Sequence, residues 1–480
     1  MRKGKKMLSI LMGAAMLTGV ACAKEDKIPA TVLPDYEMNE AVLEIDSLQG
    51  PAANDHEFAA YKAAGYNMFH LANGNSYVNL RNLSLSNEEL NRQMEHVFQL
   101  AEKYDLKVTL AMMAANSSEI AHSSVKYYQA KIGETLEKWK DKDTFYGILL
   151  TDETVLDIPV DKGDAANAQY MLKKYDTAAE FLRDEYLYFI NEYPGKFCET
   201  ILLGTPGDSN GMAYFVDRTK TFQEYLDYFY DNVMKYIPQK DRVYSHDAYP
   251  FTGKADGLIG WPNFVSSLEG IGYAAEETGA KKVVYIQNHR DVINTNMVLY
   301  QYYSAMSYGF AHFVTYLYRE SWAGQTFSVD CNGNETDNYY HFQAAHKEIR
   351  SMEKVFMSFK DNWIGAMAKE GSQRADRPTM FTACTKLLDG YSRIKSYNAT
   401  QDVLIGIMKD QNGNDGFLVS NQMIPDVNTH NFVEIKFNQA DSAAVWINGQ
   451  AMQTIPLDDG VLRLDLKSGG GAFVIPIKGE

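Results

Sequence analysis

Between about residues 40 and 360 the chain repeats one unit eight times. Each unit is a short run rich in β-branched and aromatic residues, then a polar loop, then apolar residues at helical spacing. No other feature restricts the fold as much. Strand–helix alternation implies parallel strands joined by crossover helices, with the sheet covered by the helices. The strand-like runs are 41–48, 67–71, 108–113, 146–150, 199–203, 242–245, 282–286 and 312–317. Helical periodicity falls at 58–64, 125–140, 168–192, 221–236, 263–278, 293–308 and 338–358. A further helix is opened by Ser86 and Glu89, a capping-box pair, and carries the stripe Leu90, Met94, Val97, Ala101 and Tyr104. Eight units in about 320 residues have the count and size of a (β/α)8 TIM-type barrel, an α/β fold. An open doubly wound sheet is the alternative. It has little support, because no glycine-rich phosphate loop follows the first run. No cofactor is expected.

Past residue 360 the period changes. Val403–Met408 and Phe417–Ser420 flank a Gly/Asn/Asp turn, and Val433, Ile435 and Phe437 alternate with polar residues. Val445–Ile447 runs into Asn448-Gly449, a strong hairpin signal, and Leu462, Leu464 and Leu466 alternate again before Phe473–Ile477. These are the marks of a small antiparallel β-sandwich. The expected division is 1–21 as a signal peptide, 22–36 as a lipid-anchored tether, 37–360 as the barrel and 361–480 as the sandwich.

Composition narrows the partners. A net charge of −16 argues against nucleic acid and against peripheral binding to anionic lipid, since both need a basic face. A neutral ligand is easier to hold. The 32 tyrosines point weakly the same way: a ring with an apolar face and a polar tip complements a sugar. Tyr is also a common core residue. Cys198, Cys331 and Cys384 are far apart in sequence and show neither metal spacing nor a disulfide framework.

The start of the chain is an address. Arg2, Lys3, Lys5 and Lys6 precede an apolar run from Met7 to Val20, too short to span a bilayer comfortably, and then Ala21-Cys22. Gly19-Val20-Ala21-Cys22 resembles a bacterial lipoprotein cleavage site, with Leu17 five places before the Cys rather than three. Lys24-Glu25-Asp26 is similar to the surface-export signal of Bacteroides-group lipoproteins. The resemblance implies an acylated Cys22, a membrane contact through that lipid alone, and a place on the outer face of the outer membrane. A plain signal peptide with an ordinary Cys is the simpler reading.

In a barrel of this kind chemistry gathers at the C-terminal ends of the strands. The first run offers Asp46, the second His70 and Asn73. The fourth ends in Asp152-Glu153, and the sixth in His246, Asp247 and Tyr249. Gln287, Asn288 and His289 close the seventh; Tyr318, Arg319, Glu320 and Trp322 close the eighth. His246, Asp247 and His289 lack metal-ligand spacing, so no metal is expected. Nothing has the form of a nucleophile elbow.

On these residues the chain resembles the clan A barrel glycoside hydrolases, and in particular those among Bacteroides-group surface lipoproteins. The likeness is carried by Tyr146-Gly147-Ile148-Leu149-Leu150-Thr151-Asp152-Glu153 and by Asp247-Ala248-Tyr249-Pro250. It implies hydrolysis of O-glycosidic bonds in a poly- or oligosaccharide by two carboxyl groups, with Glu153 as general acid. It also places a nucleophile Glu at the end of strand seven, where this chain has Gln287-Asn288-His289 and no acid. The second carboxyl must come from elsewhere: Asp247, or else Glu320. Asp152, His246, Tyr249, Gln287, Asn288 and His289 are expected to hold sugar hydroxyls, and Trp261 and Trp322 to line subsites. Asp152 beside Glu153 should raise the pKa of one of them. The structural alternatives are a Glu153–Arg319 ion pair, Asp247 as a turn residue, and Glu320 paired with a neighbouring arginine. A catalytically inactive glycan-binding barrel is the second functional reading, favoured by the missing acid. A structural surface lipoprotein is the third.

Overall fold

The computed structural model describes residues 28–71, 85–114, 124–153, 156–157, 175–203, 221–251, 263–289, 294–319, 326–367, 391–423, 425 and 429–479. Eight strands form one parallel sheet: β1 (Glu44–Ser47), β2 (Met68–Leu71), β3 (Lys107–Ala114), β4 (Phe145–Asp152), β5 (Phe197–Leu203), β6 (Val243–Asp247), β7 (Lys281–Gln287) and β8 (His312–Tyr316). Their order is β1-β8-β7-β6-β5-β4-β3-β2. The seam between β1 and β2 is bridged by Asn67. Its N–H donates to the Ile45 carbonyl at 3.0 Å, its side chain accepts from the Ile45 N–H at 2.8 Å, and its amide donates to Leu43 at 2.9 Å. One side-chain amide thus stands in for a missing rung and satisfies backbone groups that would otherwise be orphaned. The result is the expected (β/α)8 barrel.

The helices α1 (Asp55–Ala63), α2 (Asn87–Lys103), α3 (Val125–Trp139), α4 (Ala178–Glu192), α5 (Phe222–Asn232), α6 (Asn263–Thr278), α7 (Thr295–Ser307), α8 (Asp337–Arg350) and the short α9 (Glu353–Phe356) alternate with the strands. Side-chain caps fix several starts. Ser86 accepts from Glu89 N–H at 3.2 Å, and Thr221 and Glu224 form a complete capping box. Part of the expected helix 168–192 lies outside the described residues; its described part is α4. The expected helix 338–358 divides into α8 and α9.

The sandwich contains β9 (Lys360–Met367), β10 (Ile394–Ala399), β11 (Val403–Lys409), β12 (Asp415–Asn421), β13 (His430–Phe437), β14 (Ser442–Ile447), β15 (Gln453–Pro456), β16 (Val461–Lys467) and β17 (Gly471–Ile477). A sheet of order β10-β13-β16 faces a sheet of order β15-β14-β17-β12-β11-β9. Between them lie Val403, Ile405, Phe417, Val433, Ile435, Val445, Leu462, Leu464 and Val474. Asn448 and Gly449 turn β14 into β15 with φ of +54° and +70°, the left-handed pair that a tight hairpin requires.

Helix α7 joins the two parts. Every residue from Met297 to Ser307 is buried, because one face meets the barrel and the other meets the sandwich. Leu404, Leu418, Trp446 and Phe473 of the sandwich belong to the same apolar core as the barrel helices.

Residues 28–36, expected as part of a tether, pack onto the sandwich instead. Thr31 N–H donates to Lys478 O at 3.0 Å, and the Tyr36 hydroxyl donates to Asp410 Oδ2 at 2.8 Å. This strap leads into β1 at the N-terminal end of the barrel. Among the described residues no helix is long and apolar enough to cross a membrane.

Candidate active site

Strand register decides which side chains meet. Along β6, Val243 and Asp247 point into the barrel, while Tyr244 packs into the outer core. On β4 the strand runs on to Asp152, and Glu153 follows in the left-handed region with φ +47°. Its N–H donates to Ile201 O at 3.1 Å. A non-glycine residue there is uncommon and is held by its surroundings.

This turn brings Glu153 beside Asp247, close enough for the two carboxyls to act on each other. Asp247 is buried. Burial pushes its carboxyl well above the ordinary carboxylate range, and the charges of Glu153 and Asp152 push it further. The protonated form of Asp247 is thereby favoured. Asp152 is partly exposed. Desolvation, then the Glu153 charge, then the Glu199 charge raise its pKa to about 7. Three acids thus stand at the mouth with fewer than three negative charges among them.

Beside the acids stand three rings. His289 meets Tyr249 edge-on at 5.1 Å and Tyr316 at 5.3 Å, and Tyr249 lies 5.3 Å from Tyr316. Both tyrosines are partly exposed.

One layer below, the barrel axis is charged. His70 Nδ1 lies 3.1 Å from Asp46 Oδ2, and its Nε2 lies 2.7 Å from Glu199 Oε1. All three side chains are fully buried. Burial disfavours a charged imidazole, but the two carboxylates outweigh it and hold the pKa at about 10. Lower still, Glu44 meets Lys281, His312 and the Tyr146 hydroxyl.

Several expected residues are placed elsewhere. His246 faces outward against Phe310 at 5.9 Å; burial lowers its pKa to about 3, so it is neutral and away from the mouth. Gln287 spends its amide on Phe251, accepting from its N–H at 2.8 Å and donating to its carbonyl at 2.7 Å. Asn288 donates to Leu317 O at 2.6 Å and Ser328 Oγ at 2.9 Å, and accepts from Asn338 at 3.1 Å. Both amides brace loops rather than present free groups to a sugar. Asp46 and His70 lie below the mouth, not in it. Arg319 pairs with Glu57. Glu320, Trp261, Trp322, Asn73 and Cys22 lie outside the described residues.

Two residues escaped the sequence reading: Tyr316 and Glu199. Glu199 had a readable signal, a lone acid inside the apolar run Phe197–Leu203. An acid in the middle of a buried strand needs a partner, and that need points to a partner elsewhere in the barrel.

No family model matches the chain, and no curated protein matches it. Solved structures do. One described as a glycoside hydrolase aligns over 91% of this chain and 92% of its own, at 12% identity and a TM-score of 0.50. A glycoside hydrolase family 5 protein from Bacteroides vulgatus aligns over 91% of this chain and 89% of its own, at 12% identity and a TM-score of 0.51. Coverage that broad takes in both barrel and sandwich. At this identity the likeness is one of fold: the chain has the barrel-plus-sandwich architecture of these glycoside hydrolases.

Proposed function

We propose that the chain is a glycoside hydrolase whose acid–base pair is Asp247 and Glu153, acting on a poly- or oligosaccharide at the barrel mouth. One observation carries the reading: a buried Asp247, its carboxyl raised by burial and by the charge of Glu153 beside it, where β4 and β6 end next to an aromatic ledge. Glycoside hydrolysis needs one carboxyl that donates a proton to the leaving oxygen and one that attacks or activates water. Asp247 supplies the proton, and Glu153 is the carboxylate. These roles reverse the assignment that the family likeness implies for Glu153. The sugar displaces the carboxyl contact, entering from the partly exposed Glu153 side and stacking on Tyr249 and Tyr316. Asp152 adds negative potential that keeps the proton in the cluster. Glu320, Trp261 and Trp322 keep their expected roles only as candidates on the rim.

The test is turnover of a broad glycan panel by wild type, Asp247→Asn and Glu153→Gln. The expected result is hydrolysis by wild type and a loss of about 10²–10⁴-fold in each variant. Turnover unchanged in both variants would overturn the assignment. Binding without turnover by wild type would favour the second reading, a glycan-binding barrel. That reading has its own observation: Gln287 stands where the family places a nucleophile, and its amide is fully engaged with Phe251.

We also propose that Cys22 is acylated and that the protein sits on the outer face of the cell. The strap enters the barrel at the end opposite the carboxyl cluster, so an anchor there leaves the mouth open to a polymer. Cys22→Ala should move the protein from the membrane fraction to the soluble one. Unchanged fractionation would contradict the anchor.

A further inference from the structure

We propose that a hollow at the base of the barrel, where the barrel meets the sandwich, is a binding site for an organic carboxylate with an apolar body. It lies at the N-terminal ends of the strands, opposite the carboxyl cluster, and the inference goes beyond the hydrolase reading.

The hollow has a volume of about 460 Å³, the size of a small-molecule site. Its floor is polar. Glu44 opens β1, Lys281 opens β7 and His312 opens β8, and all three line it. Its walls are apolar. They include Val42 just before β1, Met357 and Phe359 just after α9, and Met408 from β11 of the sandwich. Apolar walls with a few convergent polar groups are the usual make-up of a ligand pocket. Residues at this end of a barrel ordinarily serve stability. Folding alone does not call for a ligand-sized hollow beside buried charge there.

Charge selects the ligand. Two lysines of the lining are already spent. Lys281 pairs with Glu44 and meets the Tyr146 hydroxyl. Lys282 pairs with Glu276 at 2.7 Å and donates to the Tyr308 carbonyl at 2.9 Å. Both acids of the lining are thereby matched. Lys360 is left over: it is exposed, and among the described residues no acid pairs with it. At the floor, His312 is completely buried, and its Nδ1 makes no hydrogen bond although Glu44 Oε2 lies 3.0 Å away. Burial disfavours its charged form, but Glu44 and Asp46 outweigh burial and raise its pKa. The lining thus has positive charge to spare on a chain whose net charge is −16. A carboxylate meets Lys360, and its apolar body lies on Met357, Phe359 and Met408. The two thioethers adapt to an irregular body. Lys360 and Met357 also line a second hollow of about 540 Å³, beside Tyr36 and Met38 of the strap, which gives a longer body room to extend.

The test is carbon-13 methyl NMR of the methionine-labelled chain titrated with octanoate, with octanamide as the neutral control. Met357→Leu and Met408→Leu assign the two reporter methyls. In wild type octanoate should shift both, with a millimolar dissociation constant. Octanamide should bind about five-fold more weakly. Lys360→Glu should weaken octanoate about ten-fold and leave octanamide unchanged. No shift of either methyl at about 10 mM octanoate would overturn the proposal. So would octanamide binding as tightly as octanoate, or an unchanged octanoate constant in Lys360→Glu. Should Lys360→Glu fail to fold, the comparison of octanoate with octanamide in wild type still decides.

Discussion

Asp152 shows how a single side chain is both a liability and a tool. In an unfolded chain its carboxyl ionises near 3.8; in the folded barrel it holds its proton up to about 7. Between those values the native state binds more protons than the unfolded one, so stability falls as pH rises through the window. Asp152→Asn removes the titrating group. We expect no gain in unfolding free energy below about pH 4 and a gain of about 1–2 kcal/mol above about pH 7, after discounting for partial exposure. Thermal or denaturant unfolding across pH measures it, and a constant difference at all pH values would contradict the placement. His70 has the same sign of pH dependence, although there it is the charged form that the fold favours. Its pKa is raised in the folded state, so its contribution is fully present below about 6.5 and is lost as pH rises through about 10. Residue types at the ends of β4 and β6 were legible in sequence, because apolar runs stop at acids there. Roles were less so. Parity sends His246 outward and Asp247 inward, a one-residue distinction that depends on where the strand begins. The amides of Gln287 and Asn288 looked like sugar contacts because their loop partners, Phe251, Leu317 and Ser328, are distant in sequence. Glu153 reveals its strain only through its backbone angle.

Among elements, α7 and β11 carry the contact that makes one molecule of two parts. Gly406 on β11 lies against the backbone of Ser307 at the end of α7, where an added Cβ would sit 2.4 Å from the Ser307 carbonyl oxygen. A backbone oxygen cannot swing aside as a flexible side chain does. Gly406→Ala should therefore cost about 1–3 kcal/mol, read as a lower unfolding midpoint, with the sandwich core intact. No loss of stability would show that the interface is looser than described. The eight strand–helix units were readable because each has its own period and stops. Strands β10 and β15 were not. Their residues are largely exposed and carry little apolar alternation, so only pairing within the sheet defines them. The seam residue Asn67 could not be read either, because its role depends on β1 lying alongside.

At the scale of the whole molecule, barrel, sandwich and N-terminal strap share one apolar core, and the strap is tied to the sandwich. Down the barrel axis, charge is layered: Glu44 and Lys281 at the base, the His70 clamp in the middle, three acids at the top. A packed barrel interior normally excludes such charge; here the two lower layers pair acid with base within themselves, and burial raises the Asp152 and Asp247 carboxyls in the top one. The central claim is that a sugar reacts between Asp247 and Glu153. The most direct measurement is a crystal structure of Asp247→Asn soaked with the oligosaccharide that wild type cleaves. The account predicts a sugar ring on Tyr249 and Tyr316, its glycosidic oxygen within hydrogen-bond reach of the residue-247 side chain, and Glu153 swung away to face the anomeric carbon. A glycan bound elsewhere, with the residue-247 and Glu153 side chains still in contact, would contradict it.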